Sequence, residues 1–236
     1  MQIKADNPAL RGGTLQPSEG GQIRQGEAEA LPTVGKQLSD SLFTRAQPQT
    51  ASASDYPDLQ AILVALEPYK RRLAALAGDR DADYALVLAT DGSAAIDERG
   101  LIYLGAGFLQ QHKNRIEVLV GAIAHEIGHR PKRMRTLGLK QALNKQELNS
   151  LLMHEEIRAD IFAGKGMGEL DLDVEPLIAY LVAAHSPPHP AYLPVEERAK
   201  LLREHSSLGR ERSNMRKKLF PEFDRATSMR NHLGEL

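Results

Sequence analysis

The segment Ile123-Ala124-His125-Glu126-Ile127-Gly128-His129 determines both the fold and the chemistry predicted for this chain. Its His-Glu-x-x-His spacing places His125 and His129 one turn apart on the same face of a helix. Two imidazoles at this spacing can bind a single zinc ion. Glu126 follows the first histidine and is expected to act as the general base toward water at the metal.

The residues around this motif predict a helix that is buried on most sides. The apolar positions before it are Ile116, Val118, Leu119, Val120, Ala122 and Ile123. Pro131 follows His129 and is expected to end the helix. The alternative is a surface helix with incidental histidines. Because unpaired polar groups are costly inside a protein, a buried helix with two histidines and a glutamate favours a metal site.

Composition restricts the classes of partner and ligand. The chain has 236 residues, a net charge of −1 and no cysteine. Thiolate zinc sites and disulfides are therefore excluded, and nothing in the charge indicates nucleic acid as a partner. The apolar runs are shorter than the roughly 18 residues needed to span a bilayer. Residues 1–10 lack a signal-peptide pattern. We expect a cytoplasmic protein if the chain is full-length, and a periplasmic or secreted one if it is processed.

Three segments are predicted along the chain. Residues 1–54 are rich in Gly, Gln, Ser and Pro and are expected to form a disordered arm; the alternative is a pro-segment that covers the active site. Within them, Leu38, Leu42 and Phe43 have the spacing of a short helix face. Residues 55–206 are assigned to a zinc metallopeptidase domain, and residues 207–236 to a basic helical extension. That extension is interpreted as a solvated helix face, with an acidic partner or a lipid surface as the alternative.

A small sheet is predicted ahead of the motif helix. The strand candidates are residues 84–89, 94–97 and 101–104, and Asp91-Gly92 is a turn signal. We expect a small antiparallel sheet packed on the His-Glu-x-x-His helix. An exposed strand edge near a metal can bind an extended peptide by backbone pairing. The predicted fold class is α+β, mainly α.

A second chemical pattern lies on a helix predicted from about Leu143 to Ala163. Glu156 and Asp160 share a face with Leu152 and Ala163, which favours a helix face turned inward. Glu156 can complete a His₂Glu site that leaves one position open, and Asp160 can accept the other ring N–H of a ligating histidine. A solvated acidic helix is the alternative.

The neighbours of these carboxylates are expected to play no part in the site. Glu155 is offset by about 100° from Glu156 around the helix and is predicted to face solvent. His154 is predicted to be a surface histidine and not a ligand. Gly164, Gly166 and Gly168 are expected to end the helix.

Taken together, the motifs resemble a known family. His125-Glu126-x-x-His129, Glu156-x-x-Ala159-Asp160 and the later His189-Pro190…Arg198 are similar to the HtpX-like and CAAX-processing gluzincin endopeptidases. The resemblance covers roughly residues 84–202. It implies a zincin-like fold with a C-terminal helical subdomain, one zinc ion per chain bound by His125, His129 and Glu156, and Asp160 supporting a ligand. The missing membrane helices imply a soluble member.

The resemblance also assigns roles in the downstream Pro-rich segment. His189 corresponds to a catalytic histidine that in some relatives approaches the zinc as a latch. Arg198 and Tyr192 are assigned to the substrate or the transition state. Residues 191–194 lengthen the usual gap between His-Pro and Arg, so His185 or Tyr192 are alternatives for the histidine's role.

The expected function is zinc-dependent hydrolysis of peptide bonds in protein substrates, with protein quality control as a role. One alternative is a regulatory protease similar to the ImmA/IrrE group. Another is a chaperone or binding module whose zinc is latched and which performs no turnover. A third is a zymogen inhibited by residues 1–54. The sequence does not assign an oligomeric state.

Overall fold

The chain is mainly helical, with one small sheet directly before the helix that carries His125 and His129. The computed structural model describes residues 31–43, 48–184 and 190–220. The helices are α1 (Val34–Phe43), α2 (Pro57–Ala77), α3 (Ala106–His112), α4 (Ile116–His129), α5 (Pro131–Thr136), α6 (Lys145–Glu169), α7 (Glu175–Ala183) and α8 (Val195–Leu219). The strands are β1 (Ala85–Ala89), β2 (Ala94–Ile96) and β3 (Leu101–Gly105). The predicted class, α+β and mainly α, is confirmed.

The sheet is mixed, so the prediction of an antiparallel sheet is wrong. Its strand order is β1-β3-β2, with β1 parallel to β3 and β2 antiparallel to β3. The Asp91-Gly92 turn does not form a hairpin between β1 and β2, because it carries the chain across the end of β3. Gly105 leaves room for this crossing, since a Cβ there would lie 2.1 Å from the carbonyl oxygen of Gly92. β2 therefore becomes an outer strand, and it packs on α4.

The helix α4 lies at the centre of the core, as its apolar sequence predicts. Its side chains Val118, Leu119, Val120, Ile123 and Ile127 have no exposed surface. The elements that pack around it are α2, α3, α6, α7 and β2. A helix held on so many sides has little freedom to shift, so it is a rigid support for the side chains at its C-terminal end.

The compact unit begins earlier than the predicted boundary at residue 55. It starts at Leu31, and α1 packs on α5 and α6. Leu38 and Phe43 are buried, and a Cβ at Gly35 would meet the carbonyl oxygen of Met134 at 2.0 Å. The predicted disorder of the arm is therefore wrong for residues 34–43, whereas the helix face predicted from the apolar spacing is confirmed. Residues 1–30 and 44–47 lie outside the described residues.

The predicted boundary at residue 206 is also wrong, because α8 runs through it without a break. Glycines do not end α6; they allow α8 to pack closely on it. A Cβ at Gly168 would lie 2.0 Å from the carbonyl oxygen of Ser206, and one at Gly209 would lie 2.3 Å from that of Lys165. Although α6 and α8 each have 25 residues, no helix in the described ranges is long and apolar enough to cross a membrane.

Candidate metal centre

His125 and His129 project from the last two turns of α4, with ring centroids 4.9 Å apart. The helix ends directly after His129, because Arg130 adopts a left-handed φ of 48° and Pro131 begins α5. Both imidazoles therefore stand on a rigid, buried helix, as the motif predicts.

The third donor is Glu156 on α6. Its Oε2 lies 3.3 Å from Nε2 of His125, and its Oε1 lies 3.9 Å from Nε2 of His129. One donor atom from each residue lies within 4.8 Å of the other two. Donor atoms around a tetrahedral zinc ion are roughly 3.4 Å apart, given bonds of about 2.1 Å. Two imidazole nitrogens and a carboxylate oxygen at these distances therefore fit a zinc ion.

Small residues bring α4 and α6 close enough for this convergence. A Cβ at Gly128 would lie 2.7 Å from the Cα of Ala159, so the two backbones are almost in contact at this point. Gly128 precedes His129, and Ala159 lies one turn after Glu156. The approach of the two helices thus determines how far the Glu156 carboxylate reaches toward the imidazoles.

Asp160 connects His125 to α8. Its Oδ1 lies 3.0 Å from Nδ1 of His125. Its two oxygens also accept hydrogen bonds from Nε and Nη2 of Arg198, at 2.7 and 2.8 Å. A carboxylate on Nδ1 fixes the ring orientation and leaves Nε2 directed toward Glu156. Asp160 thus lies beside His125, a candidate ligand, where the sequence placed it.

In the metal-free protein, the charges within the site favour protonation of one of the two imidazoles, that of His125. Burial by itself would lower the pKa of His125, but Asp160 and Glu156 outweigh it and raise that pKa to about 10. Burial and the charge of His125 lower the pKa of His129 to about 4. The Nδ1 atom of His129 has no hydrogen-bond partner in the described part of the chain. A divalent cation bound here would therefore displace a proton from His125.

Glu126 lies beside the three donors without being one of them. Burial raises the pKa of Glu126 to about 7, while the charge of His125 and the polar backbone of Ile96 oppose the rise. The carboxyl group therefore lies near the outer strand β2. A carboxyl group with a pKa near neutrality can both accept and donate a proton at physiological pH.

The site opens into a cleft of about 400 Å³ whose lining includes β2. Hydrogen bonds from Gly105 N–H to Ser93 and from Asp97 N–H to Leu101 turn Ser93 and Asp97 toward β3. Because antiparallel pairing alternates, the backbones of Ala94 and Ile96 face the other way, toward the outer edge. This edge lies along the cleft.

The remaining predicted residues have different placements. Tyr192 and Arg198 line the cleft, and the guanidinium of Arg198 lies 5.9 Å from the centroid of the Tyr192 ring. Arg198 pairs with Asp160, which gives it a supporting position that the sequence did not indicate. His185 and His189 lie outside the described residues, and their predicted roles stay predictions.

One structural network at the site was missed from the sequence. The prediction that Glu155 faces solvent is wrong, because it is buried and accepts hydrogen bonds from Arg133 on α5 and Arg158. Arg158 also donates to the carbonyl oxygen of His129 at 3.0 Å. The basic run after Pro131 is the only sequence signal for these pairs. His154 is exposed, as predicted.

No family model, curated protein or solved structure matches the chain in the comparisons with known proteins. The interpretation of the site therefore depends on its own residues and distances.

Proposed function

We propose that this protein is a zinc-dependent endopeptidase with a zincin-like fold. The observation that carries the proposal is the convergence of His125, His129 and Glu156, with donor atoms within 4.8 Å of one another. Beside them stands Glu126, a buried carboxyl group that is not needed as a ligand, and the whole group borders an open cleft. Three ligands and a separate base are the arrangement of hydrolytic rather than structural zinc sites.

In this proposal His125, His129 and Glu156 hold the metal. When bound, zinc supplies a Lewis acid that lowers the pKa of water toward about 7 and polarises a carbonyl group. Glu126 takes a proton from the attacking water and passes it to the leaving amine. Burial, which raises the pKa of Glu126 to about 7 in the metal-free protein, favours proton uptake by this carboxyl group. Asp160 holds the imidazole of His125 in the required orientation.

The outer edge of β2 is proposed to hold the substrate backbone. Its Ala94 and Ile96 backbones face the cleft edge, and an extended peptide can pair there as an added strand. Because the carboxyl group of Glu126 lies near the backbone of Ile96, a peptide on this edge lies beside the base. This position favours an extended polypeptide over a small molecule as the substrate.

The test compares three proteins loaded with zinc: the unchanged chain, Glu126→Gln, and the control Glu117→Gln. Glu117 lies on the same helix but outside the cleft lining. Metal content is measured by elemental analysis, and cleavage of denatured casein is followed with and without a chelator. We expect about one zinc ion per chain in all three. Cleavage should fall roughly 10²- to 10⁴-fold only in Glu126→Gln.

Equal cleavage by Glu126→Gln and the unchanged chain would refute the role of Glu126. Full zinc content without cleavage by any of the three would instead favour a zinc-containing binding module. A chelator that removes the metal without affecting cleavage would exclude the metal from the reaction.

A further inference from the structure

The walls of the cleft are apolar at two separate places. The first, which we call the α7 lobe, consists of Phe108, Ala122, Leu177, Tyr180 and Leu181. The second, the α1 lobe, consists of Leu42, Phe43, Pro48 and Leu152. The α1 lobe comes largely from the segment that the sequence assigns to a disordered arm.

The two lobes lie at opposite ends of the metal-binding stretch of α4. Ala122 belongs to the α7 lobe and precedes His125 by one turn; at the neighbouring Gly121 a Cβ would lie 2.7 Å from Leu177. At the other end, the ring of Phe43 packs edge-on against that of His129, with centroids 6.5 Å apart. The donors of the candidate metal centre therefore stand between the lobes.

Helix geometry gives the separation of the lobes. From Ala122 to His129 there are seven residues, which correspond to about 10 Å along the axis. An extended peptide rises about 3.3 Å per residue, so on a chain bound along α4 the lobes would be roughly three residues apart. Side chains seated in them would belong to residues on both sides of a bond held at the centre.

The charged side chains of the cleft lie at the candidate metal centre and in its surroundings, and neither lobe contains one. Asp160 and Arg198 are paired with each other, and Asp97 accepts hydrogen bonds from Arg99 and Leu101 within its own turn. The lobes themselves contain only Leu, Phe, Tyr, Ala and Pro. Burying a large apolar side chain is favourable in such a pocket, whereas burying a charged one is costly.

We propose that the substrate is an extended polypeptide with a large apolar side chain on each side of the cleaved bond, one in the α7 lobe and one in the α1 lobe. This inference depends on the proposed peptidase function. Folded proteins bury most such side chains, so the class of substrate is unfolded chains or exposed apolar segments. The C-terminal end of α1 is, in this view, part of the substrate site.

The experiment uses the zinc-loaded full chain and two variants, Leu42→Asp and Leu181→Asp. These residues are half-buried in the α1 and α7 lobes respectively. The matched control is Leu208→Asp, which changes an exposed leucine of α8 outside the cleft. Circular dichroism and zinc content verify folding, and Leu42→Asn and Leu181→Asn replace the Asp variants if these fail to fold. Bonds cleaved in denatured casein are mapped by mass spectrometry.

The unchanged chain and Leu208→Asp should cleave where large apolar residues flank the bond on both sides. Leu42→Asp should lose that preference on one side only and Leu181→Asp on the other, each with kcat/KM for apolar peptides reduced roughly tenfold or more. Cleavage without apolar preference, or the same change in both variants, would overturn the inference while leaving the peptidase intact. Increased cleavage by Leu42→Asp would indicate that α1 inhibits the site, and would also overturn it.

A binding measurement separates the two proposals if cleavage is absent. In the zinc-loaded Glu126→Gln chain, fluorescent peptides with two leucines three residues apart should bind at least roughly tenfold more tightly than matched alanine peptides. Such binding, without any cleavage by the unchanged chain, would refute the proposed peptidase function and support the proposed role of the two lobes in binding apolar side chains. Equal binding of the two peptides would refute the lobes.

Discussion

Replacing Asp160 by asparagine tests how far zinc binding depends on the residues behind the ligands. The Asp160 side chain is only 3% exposed and takes part in three hydrogen bonds, two with Arg198 and one with His125. Asparagine has the same shape, but it offers one acceptor oxygen and one N–H donor group. That donor group must face either Nε of Arg198, at the Oδ2 position, or both Nη2 of Arg198 and the ring N–H of His125, at the Oδ1 position. Asp160→Asn therefore loses a hydrogen bond and leaves the guanidinium without its counter-charge.

The expected effect is a loss of zinc affinity together with a loss of stability. Removing the hydrogen-bond partner of a metal-bound imidazole typically weakens metal binding by about 10- to 100-fold, or about 1.4–2.7 kcal/mol. Leaving one member of a buried ion pair alone costs about 3–5 kcal/mol of unfolding free energy. We expect the lower end of that range, because 17% of the Arg198 side chain remains exposed.

The stability difference should also depend on pH. Burial by itself would raise the pKa of Asp160, but hydrogen bonds from Arg198 and His125 outweigh it and lower the pKa to about 2. A carboxyl group with a lowered pKa stabilises the fold above its unfolded value near 3.9, and this stabilisation disappears as the pH falls toward 2. The difference between the unchanged chain and Asp160→Asn should therefore be full at pH 7 and shrink between about pH 4 and pH 2.

Zinc affinity is measured by competition with a chelating dye at pH 7, and stability by urea unfolding of the metal-free proteins. The control is Asp58→Asn, an identical chemical change at an exposed position of α2. Zinc affinity of Asp160→Asn within twofold of the unchanged chain, with a normal circular dichroism spectrum, would refute the reasoning.

Three further predictions follow from other contacts. Because the pKa of His125 is raised to about 10, zinc binding at pH 7 should release about one proton, measured by calorimetry in buffers of different ionisation enthalpy; release of none would contradict this assignment. Gly128→Ala should lower the unfolding free energy by about 1–3 kcal/mol and weaken zinc binding, because its Cβ would lie 2.7 Å from the Cα of Ala159. In the control Gly107→Ala the added Cβ meets no neighbour, so zinc binding should stay unchanged. Glu169→Gln should lower the unfolding free energy by about 1–3 kcal/mol and leave zinc affinity unchanged, because the buried Glu169 pairs with arginines of α8 far along α6 from the site; an unchanged melting temperature would refute this.

The candidate ligands could be predicted because, in a helix, the sequence spacing of two residues determines whether they lie on the same face. Four residues separate His125 from His129 and Glu156 from Asp160, so each pair shares a face whatever the rest of the fold does. No such local rule connects Arg198 to Asp160, which lies 38 residues earlier on another helix. The sequence suggested a role for Arg198 near the substrate, whereas its guanidinium pairs with the carboxylate behind His125.

In the sheet, a local turn sequence predicts the wrong pairing of strands. Asp91-Gly92 is a common hairpin sequence, and it predicts that β1 and β2 are neighbours. The structure inserts β3 between them, which requires the chain to cross the end of β3 next to Gly105. The pairing partner of a strand depends on the whole sheet, and two turn residues do not determine it. The consequence for the site is large, because this crossing makes β2 the outer strand beside Glu126.

Glycine explains both the errors in the helix boundaries and the close approach of the candidate ligands. In α6 the glycines at 164, 166 and 168 look like helix ends, yet two of them face α8 at backbone contact distance. Gly128 has the same role between α4 and α6, where it faces Ala159. These two small residues each lie three positions after a candidate ligand, Gly128 after His125 and Ala159 after Glu156. The motifs therefore specify a distance between helices as well as a set of donors. A larger side chain at either position would separate the helices and move the Glu156 carboxylate away from the imidazoles, even with every donor still present.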